Sequence, residues 1–320
     1  MTPLPPSTHD TAQFLDYHVS MLRDTVRTNA FREAIHATVV EGDVVVDIGC
    51  GTGILSLFAC QAGARHVYAI DRGPVLDVAR DLARRNGLAD RISFLRGEST
   101  VLDPPERADV LITETLWNLG LGEGLLSTVS DAVRRWLRPG AAIIPGTVEV
   151  RLAPIGLRGL RERLSVADLD YGVDFSHLEA ASRNVPRSMF IWPEAVRCPA
   201  QTVWSARLPY GGPETIPMAA EFVVETAGTV NAFGGWFRSD LGGGVVLSNA
   251  PPSAAPSWEQ AVFPLSHAVE VAPGDRIRVA LETDATADTT WTWATRVLRD
   301  GSEVAAFQQS TRDVRLLTSA

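Results

Sequence analysis

The chain contains no lysine. All 29 basic residues are arginine, and against 38 acidic residues they leave 320 residues with a formal charge of −9. No run of basic residues offsets that balance. A nucleic-acid binder needs a positive footprint, so a polyanionic partner is disfavoured and a cationic substrate suits the chain better. The missing lysine itself points to a GC-rich genome rather than to chemistry. Cysteine is nearly as scarce: Cys50, Cys60 and Cys198 form neither a CxxC nor a zinc-ligand spacing. That pattern predicts no metal site and fits a reducing compartment. No unbroken apolar run approaches the roughly 20 residues that span a bilayer. The start, Met1-Thr2-Pro3-Leu4-Pro5-Pro6, lacks the order of a secretory leader. The expectation is a cytoplasmic protein with no membrane partner. No internal repeat is visible.

What is present is a core-forming composition, 45% hydrophobic over a length that suits two domains. Its sharpest local feature is Val44-Val45-Val46-Asp47-Ile48-Gly49-Cys50-Gly51-Thr52-Gly53. A β-branched apolar run suits a central parallel strand covered on both faces, and the glycines allow a turn that a ligand can approach. Ile54 to Gly63 then reads as a helix closed by its C-terminal glycine. The spacing is G-x-G-x-G, one short of the dinucleotide fingerprint that rests a pyrophosphate on a helix N-terminus. Asp47 in the strand end can hold loop amides or an ammonium, and Asp71 at the end of His66-Val67-Tyr68-Ala69-Ile70 can accept two ribose hydroxyls. Together the acids fit S-adenosylmethionine, which carries an amino acid and a ribose but no phosphate. A generic nucleotide turn holding another ligand is the alternative.

Helical spacing from about Phe14 to His36 predicts one or two helices over that turn. Strand and helix then alternate: a helix over 74–86, strands over 91–96 and 108–113, a helix over 127–137 stopped by Arg138-Pro139-Gly140, and a strand over 141–144. That rhythm implies a parallel sheet with right-handed crossovers. From Thr147 the chain changes to short β-like segments separated by Gly, Pro, Ser and Thr, which predicts an antiparallel barrel or sandwich interrupted by a helix near 175–181. The fold class is therefore α/β, with a Rossmann-like domain over 1–145, a β-barrel substrate domain over 146–320, and a helical arm near 165–190.

Ligands of open parallel sheets bind beyond the carboxyl ends of the strands, so the segment after Ile112 faces whatever meets the cofactor. It carries Glu114 and Glu123, nine residues apart on a glycine-rich apolar loop. Such a loop can fold back and present both carboxylates to one cation, and a carboxylate fork matches a planar guanidinium. A guanidinium stays protonated and is a poor nucleophile. Two catalytic glutamates can hold it, localise its charge on the nitrogens not attacked, and take its proton. Trp117 and Asn118 lie between them as candidate pocket residues. The structural alternative is one ordinary loop acid and one solvated helix-start residue.

Several of these segments resemble the protein arginine methyltransferases. The resemblance is carried by Asp16 to Arg32 around Met21-Leu22-Arg23-Asp24-Thr25-Val26-Arg27-Thr28, by Asp47 to Ser56, and by Glu114 with Glu123. It continues in Gly235-Trp236-Phe237, Leu247 to Pro251, Ser257 to Leu265 and Gly274-Asp275, covering about 14–298. It implies a β-barrel and an arm that closes a head-to-tail homodimer. By position it implies that Arg27 meets the cofactor carboxylate, Asp71 the ribose, Gly49 and Gly51 (with Gly53 closing the loop) the methionine part, and Ser99 and Thr100 the adenine. Met21 lines the reaction centre.

The chain also departs from that family. Pro256-Ser257-Trp258 stands where the family has Thr-His-Trp, the N-terminal tyrosine pair has no counterpart around 12–15, and Thr115-Leu116-Trp117-Asn118 replaces Trp-Met-Gly-Tyr. The changes gather on the acceptor side. The preferred reading is ω-N-methylation of free L-arginine or a small guanidino metabolite in bacterial natural-product biosynthesis. Peptidyl arginine, another metabolite nitrogen or hydroxyl, and an inactive cofactor-binding partner subunit are the alternatives.

Overall fold

The computed structural model describes residues 8–166, 169–252, 258–284 and 290–312, with side chains from residue 15 onward. Pro256 and Ser257, part of the motif noted above, and residues 167 and 168 of the expected arm lie outside them.

Two helices open the chain, α1 (Thr8–Arg23) and α2 (Thr25–Thr38), broken at Asp24. The break is a cap: the buried Asp24 carboxylate accepts the Arg27 backbone N–H at 2.9 Å. It fixes Arg27 in the first turn of α2. The parallel sheet follows as β1 (Val44–Ile48), α3 (Ile54–Ala62), β2 (His66–Asp71), α4 (Val75–Arg85), β3 (Ile92–Arg96), β4 (Ala108–Thr113), α5 (Leu125–Arg135) and β5 (Leu137–Ile144). Strand order is β3-β2-β1-β4-β5, so the order reverses between β1 and β4. Ile48 pairs with Ile70 on one side and Thr113 on the other. This register brings the loop after β1, Asp71 and Glu114 to one edge, where parallel sheets bind ligands.

One element starts earlier than its sequence pattern indicates. β5 begins at Leu137, with Arg138-Pro139-Gly140 inside it. A proline is tolerated because β5 is an edge strand, where a missing N–H leaves no partner unpaired.

The second half forms two antiparallel sheets. The first contains β6 (Thr147–Ile155), β7 (Arg187–Met189), β8 (Gln201–Arg207), β10 (Gly228–Gly242), β11 (Val245–Ser248) and β12 (Gln260–Val271). The other contains β9 (Thr215–Val223), β13 (Arg276–Asp284), β14 (Trp291–Arg299) and β15 (Ser302–Ser310). Strict alternation along β13, exposed at Arg276 and buried at Ile277 and so on to Thr283, marks one face as core. Phe263 anchors that core, packed edge-on against Trp291 and Trp293. Between β6 and β7 lie α6 (Leu160–Leu164), which buries Leu160 and Leu164, and α7 (Ser176–Arg183), which buries no residue.

The halves share a core. Leu119, after β4, lies so close to Gly235 of β10 that an added Cβ there would meet it at 2.5 Å. The loop carrying the two glutamates is thus part of the junction between the halves.

Candidate active site

The loop after β1 is held by its neighbours in the sheet. The backbone N–H groups of Gly49 and Cys50 both donate to the Ile70 carbonyl, at 2.9 and 3.0 Å. Asp71 accepts Gly51 N–H at 2.9 Å on one oxygen and Gly73 N–H at 2.7 Å on the other. Gly49, Gly51 and Gly53 all take positive φ, which side-chain-bearing residues rarely adopt. The loop amides therefore belong to Asp71 and Ile70, not to Asp47 as the sequence allowed. Asp47 is buried under the loop, accepts the Ser56 hydroxyl at 2.6 Å on one oxygen, and is pushed up to about 7, chiefly by burial. Its other oxygen makes no hydrogen bond.

Ser99 and Thr100 follow β3, whose last residue, Arg96, pairs with Asp71; Ser99 is buried and Thr100 exposed. What fixes them lies on and just after α5: the Ser99 carbonyl accepts Trp136 Nε1 at 3.0 Å, and Arg135 donates to the Thr100 carbonyl at 2.6 Å. Neither strap has a local sequence signal.

The acidic loop is conformationally strained. Trp117 and Glu123, neither a glycine, adopt φ of 49° and 50°, each costing about 1–2 kcal/mol relative to an ordinary backbone. Packing imposes the shape. A Cβ on Gly120 would meet Val148 at 2.7 Å and Phe237 at 2.8 Å, so only glycine lets the loop seat on the barrel. Asn249, fully buried, clamps it by donating to the Asn118 carbonyl at 2.8 Å while accepting the Phe237 N–H at 2.9 Å. The Asn118 side chain donates to the Ser188 hydroxyl at 2.5 Å, and the Trp117 ring packs 6.3 Å from that of Trp291. Both residues, expected to contribute to a substrate pocket, are occupied in joining the loop to the barrel.

The outcome is a charged cluster. Arg27, buried, donates through Nε to Glu114 at 2.9 Å and through Nη2 to the same oxygen, and through Nη1 to the Met21 carbonyl at 3.2 Å. Its guanidinium lies 5.7 Å from the Trp258 ring, which comes from the barrel. Arg27, expected by its position in the chain to meet the cofactor carboxylate, is thus aimed by the first glutamate. Glu123 is open to solvent on one side yet walled by protein on the other. That burial, followed by the Glu114 charge, raises its pKa, while Arg72 and Arg27 oppose the shift. The two carboxylates therefore sense one another. Among the described residues, only Glu114 has a cation bonded to it.

An acid-lined glycine turn with Arg27 at its rim fits a zwitterionic, sulfonium-bearing ligand better than a phosphate. The fold and this site define an S-adenosylmethionine-dependent methyltransferase. Two family models match, "Ribosomal protein L11 methyltransferase (PrmA)" over residues 27–153 and "Arginine methyltransferase oligomerization subdomain" over 148–293. Protein arginine N-methyltransferase 6 of Danio rerio is 32% identical over 288 residues, 83% of this chain and 82% of that protein. Protein arginine N-methyltransferase 1 of Schizosaccharomyces pombe is 30% identical over 82% of this chain and 79% of its own. A probable protein arginine N-methyltransferase 6 of Arabidopsis thaliana reaches 41% over 161 residues, which span 37% of that protein. The chain belongs to the protein arginine N-methyltransferase family. At the level of fold it is similar to the Trypanosoma brucei PRMT1 enzyme–prozyme heterotetrameric complex with AdoHcy, with a TM-score of 0.80 at 24% identity over 92% of this chain and 96% of that one. Arabidopsis thaliana protein arginine methyltransferase 10 gives the same score at 23% identity, over 93% and 99%.

Proposed function

We propose that this protein methylates a terminal guanidino nitrogen of arginine held within a polypeptide. The reading is supported by one observation: Glu114 and Glu123 lie on a single loop at the carboxyl end of β4, close enough for the Glu114 charge to raise the Glu123 pKa, with Glu114 tied to Arg27. The relatives, named protein arginine N-methyltransferases, support arginine in a protein as the acceptor over the free arginine or small guanidino metabolite expected from sequence.

When bound, S-adenosylmethionine supplies an electrophilic methyl group on a positively charged sulfur. The chain's own residues do the rest. Glu114, its charge directed by Arg27, anchors two guanidinium N–H groups and draws positive charge toward those nitrogens. That leaves the third nitrogen richer in electrons. Glu123 faces the same cation without a bonded arginine of its own. Its raised pKa suits it to accept the proton once the new N–C bond weakens an N–H. Asp71, held by Gly51 and Gly73 through one lone pair on each oxygen, keeps its other lone pairs for a ribose. Gly49, Gly51 and Gly53 leave room for the methionine portion, and Asp47, Ser99 and Thr100 complete the donor side. Met21 bounds the reaction centre through its link to Arg27.

The chain also carries two exposed apolar faces that suit one another in a head-to-tail homodimer. The arm exposes Tyr171, Val173 and Leu178, and the N-terminal helices expose Leu15, Val19, Leu22 and Val26. Sedimentation at micromolar concentration should give a dimer, and Leu178→Asp should give a monomer.

The decisive assay offers S-adenosylmethionine with an arginine-rich peptide or with free L-arginine, followed by mass spectrometry. Methylated peptide is the expected result. Turnover of free arginine alone would restore the small-molecule reading, and cofactor binding without transfer to either would leave an inactive partner subunit.

A further inference from the structure

Glu123 occupies a turn that a glutamate does not favour. The Gly122 carbonyl accepts the Leu125 N–H at 3.0 Å, and the two residues between them, Glu123 and Gly124, have φ of 50° and 72°. A turn with positive φ at both central positions selects Asn, Asp or Gly for the first of them. Packing outside the turn therefore has to hold it. Its C-terminal end is anchored by Leu125 and Leu126, both buried at the start of α5. Its N-terminal end, Gly122, lies under Trp117.

That contact is close. A Cβ on Gly122 would meet Trp117 Cβ at 2.7 Å, Cγ at 3.1 Å and Cδ2 at 3.4 Å, so the tryptophan rests directly on bare glycine backbone. Gly122 is not among the glycines with positive φ. Its missing side chain serves the contact rather than the backbone conformation. Trp117 is itself fixed twice. Its carbonyl accepts the Gly120 N–H at 3.3 Å, and its ring packs 6.3 Å from Trp291, which stands edge-on to Phe263 at 5.3 Å. Trp291 and Phe263 are buried in the barrel core. A line of packed groups thus runs from that core through one indole to the residue before Glu123.

We propose that Trp117 is a positioning residue for Glu123: pressed between Trp291 and Gly122, it holds the turn in the shape that keeps the proton-accepting carboxylate beside the guanidinium bound by Glu114. The assignment rests on the guanidine-methylating reading above. It adds a mechanical connection from the barrel to the proton acceptor.

Trp117→Gly, Gly122→Ala and the two combined test it. Glycine accepts a φ of 49° without strain, so Trp117→Gly should remain folded. For an arginine peptide its kcat should fall about 10²-fold, the order expected when a reacting group is misplaced by about 1 Å, while KM and S-adenosylmethionine affinity stay within about threefold. The acid limb of kcat/KM should move to lower pH, because burial is the main cause of the raised Glu123 pKa and a released turn admits water. Trp117→Phe keeps a ring over Gly122 and should retain most of the parent kcat. Gly122→Ala drives a methyl group into Trp117 and should lower kcat about tenfold on its own, yet cost nothing further in Trp117→Gly, since the three nearest atoms all belong to Trp117. Additive losses in the combined variant would overturn the assignment. So would a Trp117→Gly enzyme with the parent kcat, or one slowed with its acid limb unmoved, which would reduce Trp117 to packing. Failure of the parent protein to methylate any guanidino compound would overturn the function itself and this role with it, an outcome seen before any variant is compared.

Discussion

The two walls of the crevice are built differently. On the donor side, Gly49, Cys50, Gly51 and Gly73 are tied by short hydrogen bonds to Ile70 and Asp71, and positive φ falls only on glycines. On the acceptor side, Trp117 and Glu123 are held in the same backbone region without that freedom, by packing against a barrel that is distant in sequence. One wall is fixed by local chain chemistry and the other by tertiary contacts. The donor wall can therefore keep one motif while the acceptor wall changes with whatever the barrel presents to it.

The largest contrast should appear in catalysis. Glu114→Gln and Glu123→Gln should each lower kcat by roughly 10² to 10⁴, the range for lost positioning or proton transfer. Glu123→Gln should leave cofactor affinity intact, whereas Glu114→Gln should weaken it, because Arg27 loses the carboxylate that aims it. Rate assays with parallel calorimetry would read both. Equal loss of cofactor affinity in the two variants would erase the distinction between the walls.

Next in size is a pair of glycine replacements. Gly120→Ala places a Cβ 2.7 Å from Val148 at a φ of 75°, and overpacking plus a left-handed backbone should cost about 2–4 kcal/mol of stability. Gly51→Ala has its nearest neighbour, the His18 ring, at 3.7 Å. The fold should lose only about 1 kcal/mol, while cofactor affinity drops sharply. Thermal melts and binding titrations together would show whether the acceptor wall is limited by folding and the donor wall by ligand.

The walls also differ in how far sequence alone reveals them. The donor wall was visible because its determinants are local: an apolar run ending at Ile48, three glycines in five residues, and Asp71 closing the next strand. Glu114 and Glu123 were visible as a pair for the same reason. Their surroundings were not. The cation on Glu114 comes from Arg27, 87 residues away, and the Asn118 clamp comes from Asn249, 131 residues away. No spacing rule encodes contacts between the two halves. The contacts of Trp117 and Asn118 with Trp291 and Ser188 were likewise invisible, because position between two functional residues is no guide to direction when the barrel sets the backbone.

A smaller effect concerns pH. Burial and the Glu114 charge favour the protonated form of Glu123, and the protonated form cannot accept a proton. Activity should therefore rise with pH through a limb lying above the ordinary carboxylate range. Replacing Glu114 with Gln removes the like charge, so the residual activity should show that limb at lower pH. A limb unmoved by that replacement would mean the two carboxylates do not share one crevice.

The smallest effect lies under the donor wall, in Asp47, where the sign of the pH dependence can be worked out. Its folded pKa of about 7 exceeds that of an unfolded aspartate, so between the ordinary carboxylate range and about pH 7 the folded state binds more protons than the unfolded one. The stability from the protonated group is complete below the unfolded pKa and is lost as pH rises through about 7, at no more than about 1.4 kcal/mol per pH unit. Asp47→Asn removes the titration while its amide oxygen can still accept the Ser56 hydroxyl. Melting temperatures of parent and variant from pH 5 to 8 should therefore diverge, the variant gaining as pH rises and the gap levelling off above about 7. His18 and His66, both shifted downward mainly by burial, titrate in both proteins. The difference between the two curves therefore isolates Asp47, and parallel curves would show that it ionises at an ordinary pKa, with the rigid wall resting on a charge.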